Sequence, residues 1–335
     1  MKHRRLLAAL VAVALLSSCS GPGNWFGLGD KKSDARITVA AALYPLAEAV
    51  ARVGGEHVNV LNLTPAGKDA HDVELTAKQL NALESSSAVF WIGSDFQPSI
   101  QKAVGSLKKP VTVDVLDHVS TVTVDQLDGG VGPQFFAGGS TTTVAPAGGA
   151  AVDPHVWLDP ENMARIAEKV RDVLSGLLPG LSSEFAANTA AYTAEIDAVD
   201  DLITAVRWDP ATRVVHCTHQ RIVATHQGLV YLLRRGGMSL LPIAGVNPDE
   251  QVSAKRMEEI AAMISTGESG IAPTVLLEEF LPETVARAVA EMAGASTAVV
   301  NPLEGLSAAD IGAGRTWTSV MRDNISTIKT AMGCS

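Results

Sequence analysis

The sequence contains no apolar run long enough to cross a membrane as a helix. The run from Leu6 to Leu16 has eleven residues, whereas a bilayer requires about 20. The basic residues Lys2, Arg4 and Arg5 precede it, and a short apolar segment after a basic head is typical of an export signal. We therefore expect residues 1–18 to be a signal peptide.

Basic residues are too few to favour binding to nucleic acid. The chain has 26 Lys and Arg against 36 Asp and Glu, a formal net charge of −10 that becomes −13 without the signal peptide. Proteins that bind nucleic acid typically present basic surfaces. The chain also lacks the GxxxxGK[ST] phosphate loop of many ATPases and the HExxH motif of zinc hydrolases, so neither activity is indicated.

Cysteine is also scarce, and the first of the three cysteines has a special place. The segment Leu16-Ser17-Ser18-Cys19 resembles a bacterial lipobox, which implies cleavage before Cys19 and a lipid on that residue. Cleavage near Ser18 without a lipid is the alternative. Residues 19–35 are rich in Gly and polar residues and predict a flexible tether. We expect a protein that is lipid-anchored to the outer face of the bacterial cytoplasmic membrane.

The two other cysteines are Cys217 and Cys334. In an oxidising compartment an even pair predicts one disulfide, which would tie the C-terminus to the second half of the chain. Two free buried thiols are the alternative.

Two regions of the chain alternate short apolar strands with amphipathic helices. They are residues 36–160 and 208–335, and this alternation predicts parallel α/β sheets. Residues 161–207 between them are helical, and the stretch 182–207 has no Pro or Gly; it would form a helix of about 39 Å. The predicted fold is α/β, with two parallel-sheet lobes joined by a long rigid linking helix. A Gly/Thr/Ala/Pro-rich segment, residues 129–151, is expected to be a mobile insertion in the first lobe.

Three histidines stand where α/β clefts place functional groups. His71, His155 and His226 each follow a predicted strand or precede a predicted helix, and ligands of open α/β sheets bind beyond the carboxyl ends of strands. The partial positive charge of a helix N-terminus disfavours imidazolium, which leaves a neutral ring free to bind a metal. Three neutral imidazoles favour Zn²⁺ over Mn²⁺, although each histidine alone could be structural.

His216 and His219 form a second, closer pair. They could be an auxiliary metal pair, could replace His226 if the strand register differs, or could be hydrogen-bonded residues at a strand end. The last interpretation is favoured.

Several segments resemble one family, the cluster A-I solute-binding lipoproteins of zinc and manganese ABC importers. The resemblance covers the chain from Arg36 onward, and its most specific segment is DPHVWLDPENM. These segments are TPAGKDAHDVELTAKQLNAL, DPHVWLDPENM, THQGLVYLLRRGGM, GVNPDEQVSAKRMEEI, VLLEEF, NPLEGL and VMRDNISTIKTAMGC.

The resemblance implies two α/β lobes joined by a rigid helix, with a metal ion between them. It implies that His71 and His155 bind the metal from the first lobe and that His226 binds it from the second. The fourth ligand in the family is commonly an Asp before a Pro-Leu pair, and here Asn301 occupies that position. The fourth ligand therefore stays open between Asn301, Glu278, Glu279 and water.

A second departure from the family concerns residues 129–151. Zinc-binding members often carry a His-rich loop there, whereas this segment has no histidine. Metal capture by such a loop is therefore not expected.

The predicted function is binding rather than catalysis. We expect a protein that captures a divalent transition metal, Zn²⁺ or alternatively Mn²⁺, and delivers it to an ABC transporter permease driven by a separate ATPase. One alternative is a scaffold that has lost the metal and binds another ligand or a surface protein. The other is a zinc hydrolase with water at the open fourth position.

Overall fold

The computed structural model describes residues 36–123, 152–206 and 217–335. The predicted signal peptide, the lipidation site Cys19, the tether, the insertion 129–151 and His216 lie outside the described residues. Within the described ranges, no helix is long and apolar enough to cross a membrane.

The first lobe is a four-stranded parallel sheet with helices after its strands. Strands β1 and β3 are its centre because their Val, Ala and Phe side chains are buried on both faces. The strand order is β2-β1-β3-β4. The strands are β1 (Ile37–Ala41), β2 (Val58–Asn62), β3 (Ala88–Trp91) and β4 (Val111–Asp114), and the helices are α1 (Tyr44–Gly54), α2 (Ala77–Glu84) and α3 (Pro98–Val104).

The second lobe repeats this architecture, with strand order β6-β5-β7-β8 and parallel pairing throughout. The strands are β5 (Arg221–Ala224), β6 (Ser239–Pro242), β7 (Ile271–Glu278) and β8 (Ser296–Val300). Two helices precede this lobe, α4 (Pro160–Leu177) and α5 (Ser182–Thr204). Its own helices are α6 (Val230–Arg235), α7 (Ala254–Thr266), α8 (Thr284–Ala293), α9 (Ala308–Gly312) and α10 (Trp317–Met332).

Helix α5 links the lobes. Its 23 residues span about 35 Å, and it packs against α1 and α4 on one side and α10 of the second lobe on the other. The predicted fold class, two parallel-sheet lobes joined by a long helix, is confirmed.

A buried carboxylate joins α1, α5 and α10. Glu48 is 3% exposed, and its Oε2 accepts hydrogen bonds from the Tyr44 hydroxyl (2.5 Å) and the Trp317 amide (2.7 Å). The Tyr192 hydroxyl donates to Oε1 at 3.3 Å. Burial raises the pKa of Glu48, and the donors around it offset part of the cost of burying the group. The linking helix is therefore fixed to both lobes by one polar cluster.

The end of α10 is tied to the chain before β5. Cys217 and Cys334 form a disulfide across an antiparallel bridge, and the His219 amide donates to the Met332 carbonyl at 3.0 Å. The C-terminal helix is thereby covalently fixed to the second lobe.

Loss of this disulfide should destabilise the protein. Cys334→Ser opens a link between residues 117 apart in sequence, and loss of a native disulfide costs about 2–5 kcal/mol. Urea unfolding followed by circular dichroism gives the free energy of unfolding. Wild-type protein treated with a reductant should match the variant, and equal stability of the oxidised wild type and the variant would contradict the prediction.

Candidate metal centre

Three histidines meet between the two lobes. His71 lies in the loop between β2 and α2, and His155 comes just before the short turn Val156–Leu158. His226 follows β5 and precedes α6. Two loops that follow strands and one segment that precedes a helical turn therefore bring the three imidazoles to the same place, as expected from the sequence for these three residues.

A fourth side chain, the carboxylate of Glu304, completes the cluster. Its Oε1 lies 3.4 Å from Nε2 of His226, 3.5 Å from Nε2 of His155 and 3.7 Å from Nε2 of His71. The Nε2 atoms of His155 and His226 are 3.3 Å apart, and the ligand atoms of all four residues lie within 4.8 Å of one another. No other such group of His, Cys, Asp and Glu occurs among the described residues.

These separations fit the edges of a metal-centred tetrahedron. Zinc bonds of about 2.0–2.2 Å to nitrogen and oxygen give edges of about 3.3–3.6 Å between ligand atoms. The four separations between 3.3 and 3.7 Å fall on or next to that range. The two remaining separations, from His71 to His155 and to His226, are within 4.8 Å, so the four residues could hold a four-coordinate cation if the His71 ring moved closer.

The structure places Asn301 outside this cluster, which differs from the sequence expectation. Its Oδ1 accepts the amide of Leu303 at 2.6 Å, and its Nδ2 donates to Glu279 Oε2 at 2.7 Å. The side chain that was expected to approach the metal instead shapes the loop after β8. Glu279 accepts the hydrogen bond from Asn301. The carboxylate that lies next to the three histidines is that of Glu304, which was not among the sequence candidates.

Backbone geometry turns Glu304 toward the histidines. Leu303 is fully buried with φ of +59°, a left-handed conformation that costs free energy in a non-glycine residue. The Trp157 indole donates to the Pro302 carbonyl at 2.8 Å. At Gly305 an added Cβ would lie 3.0 Å from the Lys68 carbonyl oxygen. First-lobe groups thus hold this second-lobe loop in place.

His155 is oriented by a carboxylate behind it. Asp153 Oδ1 accepts the His155 amide at 3.0 Å and lies 3.0 Å from its Nδ1. This pairing puts the ring proton on Nδ1 and leaves the Nε2 lone pair for a metal, an arrangement common among metal-binding histidines. Both side chains are fully buried.

His226 has an equivalent support in Glu278, the third of the earlier candidates. Oε1 of Glu278 accepts the His226 amide at 2.9 Å, and Oε2 lies 2.9 Å from Nδ1, although off the line of a hydrogen bond. Glu278 therefore stands behind the imidazole and not at the metal position. Gly228 leaves room for the ring, because a Cβ there would lie 2.5 Å from Cε1 of His226.

His71 is the most accessible of the three rings. Its side chain is 9% exposed, whereas those of His155 and His226 are fully buried. The Asp69 carboxylate accepts its amide at 2.8 Å, and its ring meets Phe96 edge-on at 4.6 Å between centroids.

Carboxylates act on His155 and His226 in the sense opposite to helix N-termini, because they favour the charged imidazole. Burial disfavours the charged form of each group, but Asp153 and Glu304 raise the pKa of His155 despite it, and Glu278 and Glu304 raise the pKa of His226 well above its usual range. The three imidazoles hold the pKa of Glu304 well below its usual range although burial acts in the opposite sense. The sequence expectation of neutral imidazoles did not include these carboxylates, which favour the charged forms of His155 and His226.

His219 does not join the cluster. It is half-buried beside the disulfide, and its amide bonds to the end of α10. Its position agrees with the favoured interpretation of a hydrogen-bonded residue at a strand end.

Comparison with known families and proteins agrees with this geometry. The family model "Zinc-uptake complex component A periplasmic" (ZnuA) matches residues 39–331. The zinc-binding lipoprotein AdcA of Streptococcus pneumoniae (serotype 4) is 26% identical over 329 residues, 98% of this chain but 61% of AdcA. The chain thus spans about three fifths of that relative. The high-affinity zinc uptake system protein ZnuA of Bacillus subtilis is 24% identical over 330 residues, 97% of each chain.

Solved structures share the fold. The Zn(II)-bound ZnuA-like domain of S. pneumoniae AdcA superposes with a TM-score of 0.67 at 25% identity, covering 89% of this chain and 99% of that domain. The periplasmic zinc-binding protein TroA of Treponema pallidum has a TM-score of 0.71 at 20% identity, covering 89% of this chain and 99% of TroA. The two-lobe architecture is therefore that of known solute-binding proteins.

Metal binding by this cluster should weaken on acidification. Protons compete with a metal for imidazole nitrogen, and each displaced proton lowers the apparent affinity about tenfold per pH unit below the pKa. Because the pKa values of His155 and His226 are raised, the loss should begin above about pH 6.5, the ordinary histidine value. Competition with a chromogenic chelator at a series of pH values measures it. A flat affinity from about pH 8 to about pH 5.5 would contradict the prediction.

A methyl group at Gly228 should disturb the cluster. Gly228→Ala puts a Cβ against the His226 ring. Changes to groups that orient a metal-binding side chain typically lower the metal affinity by about 10–100-fold. Gly176→Ala in α4 is the matched control, because its Cβ would meet nothing within 4 Å. Chelator competition should show weakened binding for the first variant only. Equal affinity of the two variants would show that the space at Gly228 is not needed.

Proposed function

Since the chain belongs to the family of the periplasmic component A of zinc-uptake complexes, we propose that it captures Zn²⁺ outside the cytoplasmic membrane and delivers it to an ABC importer. The observation that carries this proposal is the convergence of three Nε2 atoms and one carboxylate oxygen between two lobes. The names of the relatives, zinc-binding lipoprotein AdcA and zinc uptake system protein ZnuA, support the same cargo.

We assign His71, His155, His226 and Glu304 as the four ligands of the ion. The first two belong to the first lobe and the last two to the second, so the site is complete only when the lobes are together. Three imidazoles and one carboxylate favour Zn²⁺, whereas Mn²⁺, the alternative cargo, prefers more oxygen ligands. The carboxylates of Asp153, Glu278 and Glu304 offset the charge of the ion.

Release of the ion requires the lobes to part. His155 and His226 are fully buried, Glu304 is 3% exposed and the His71 side chain is 9% exposed, so an ion among them would be largely enclosed by protein. In the proposed cycle the ABC permease binds both lobes, separates them, and receives the ion, while its ATPase supplies the energy. Because α5 is one continuous helix that packs on both lobes, the opening movement should be small.

The hydrolase alternative loses its main support. It depended on an open fourth position for a reactive water, and Glu304 stands at that position. Binding without catalysis is the better proposal. We further propose that a lipid on Cys19 anchors the protein at the outer face of the membrane, in keeping with the lipoprotein AdcA.

Metal stoichiometry tests the proposal directly. After exposure to Zn²⁺ and Mn²⁺ together and removal of excess metal, native mass spectrometry of the wild type should show one Zn²⁺ per chain. His155→Ala and Glu304→Ala should each lose it. His118→Ala is the matched control, because His118 is exposed and lies outside the cluster. A wild type that retains no transition metal, or a Glu304→Ala variant that binds as the wild type does, would contradict the assignment.

A further inference from the structure

Two buried polar side chains of the second lobe reach across the cleft to the residue behind His155. They are Gln227 and Tyr231, which lie one and five residues after His226 in sequence, and each is 3% exposed. Both contact Asp153, the fully buried first-lobe residue whose carboxylate orients His155. Neither contacts the metal position itself.

Gln227 fixes the second oxygen of the Asp153 carboxylate. Oδ1 of Asp153 is already taken by the amide and ring of His155, and Gln227 Nε2 donates to Oδ2 at 3.1 Å. The backbone amide of Gln227 donates to the Gly245 carbonyl at 3.1 Å, which anchors Gln227 in the second lobe. The carboxylate is thus held by one lobe through one oxygen and by the other lobe through the second.

Tyr231 holds the backbone of the same residue. Its hydroxyl donates to the Asp153 carbonyl at 2.9 Å and accepts from the Val122 amide at 3.0 Å. The Asp153 amide in turn donates to the Val122 carbonyl at 2.9 Å. A second-lobe hydroxyl therefore contacts both of two paired first-lobe backbone segments, at Val122 and at Asp153.

These contacts exist only while the lobes are together. When the lobes separate, the side-chain amide of Gln227 and the hydroxyl of Tyr231 move away from Asp153. The Asp153 carboxylate can then rotate about its Cβ–Cγ bond. A carboxylate that no longer holds one orientation no longer fixes the His155 ring, and the groups that orient metal-binding histidines control metal affinity.

We propose that Gln227 and Tyr231 are positioning residues, which hold Asp153 and through it His155 in the metal-binding orientation only in the closed state. The proposal rests on the proposed function, since it takes His155 as a ligand of the transported ion. Under this proposal, binding of the ion by His155 and closure of the lobes are coupled. Because such coupling is reciprocal, forced opening of the lobes weakens the bond between His155 and the ion.

The zinc dissociation rate tests the proposal. Tyr231→Phe and Gln227→Met remove the donors and keep side-chain size, and we expect zinc to transfer to an excess of chromogenic chelator about 10–100-fold faster. Thr274→Val is the matched control, because it removes a buried hydroxyl that contacts Ser296 within the second lobe and lies outside the metal cluster. Its rate should equal that of the wild type.

A spectroscopic readout separates positioning from general weakening of the fold. The visible absorption bands of Co²⁺ depend on the geometry of its ligands, so Co²⁺-loaded Gln227→Met and Tyr231→Phe should show altered bands, and Thr274→Val should not. Unaltered bands together with wild-type zinc release in both variants would overturn the proposal while leaving zinc binding intact. Failure of the wild type to bind zinc would instead overturn the proposed function.

A double substitution tests whether Gln227 acts through Asp153. In an Asp153→Ala background, Gln227→Met should have no further effect on zinc release, because the group it positions is gone. Equal effects of Gln227→Met in both backgrounds would show that it acts on lobe packing alone and would overturn the proposal. If Asp153→Ala holds no zinc, the Co²⁺ spectra of the single variants decide in the same two directions.

Discussion

The structure depends on one interaction, the burial of the Glu304 carboxylate among three imidazole nitrogens. A buried charge needs a compensating partner, and within this cluster the compensation is either protons on His155 and His226 or a divalent cation. The directions of the pKa shifts agree with this need for compensation: the pKa values of His155 and His226 are raised and the pKa of Glu304 is lowered. A divalent cation in this cluster would therefore compete with protons for the histidine nitrogens.

Both lobes are built to hold this arrangement. Each lobe supplies two members of the cluster, and a carboxylate stands behind one histidine of each lobe, Asp153 in the first and Glu278 in the second. Contacts cross the cleft in both directions: the Trp157 indole of the first lobe holds the loop of Glu304, and Tyr231 of the second lobe holds the segment of His155. The ion therefore completes an interface that the polypeptide has already shaped.

Much of this was accessible from the sequence, and the part that was not has a physical reason. The alternation of strands and helices, the Pro- and Gly-free stretch that became α5, and the positions of the three histidines after a strand or before a helix are features of local sequence pattern. This is why the fold and these three residues could be predicted.

The fourth member depends on tertiary geometry. Which of Glu278, Glu279 and Glu304 faces the histidines follows from the left-handed turn at Leu303 and from the use of Asn301 within its own loop, neither of which has a periodic signature. The NPLEGL segment nevertheless held the clue, a carboxylate three residues after the position where a ligand was expected. The effect of carboxylates on the pKa values of His155 and His226 was missed for a partly similar reason: Glu278 and Glu304 come from distant parts of the chain relative to His226 and His155, whereas Asp153 is only two residues from His155.

X-ray absorption spectroscopy at the zinc edge of the loaded protein tests the central claim most directly. Three imidazoles and one carboxylate oxygen around the ion, at about 2.0–2.2 Å, are the predicted result. A shell with fewer than three imidazoles, or one dominated by six oxygen ligands, would contradict the account.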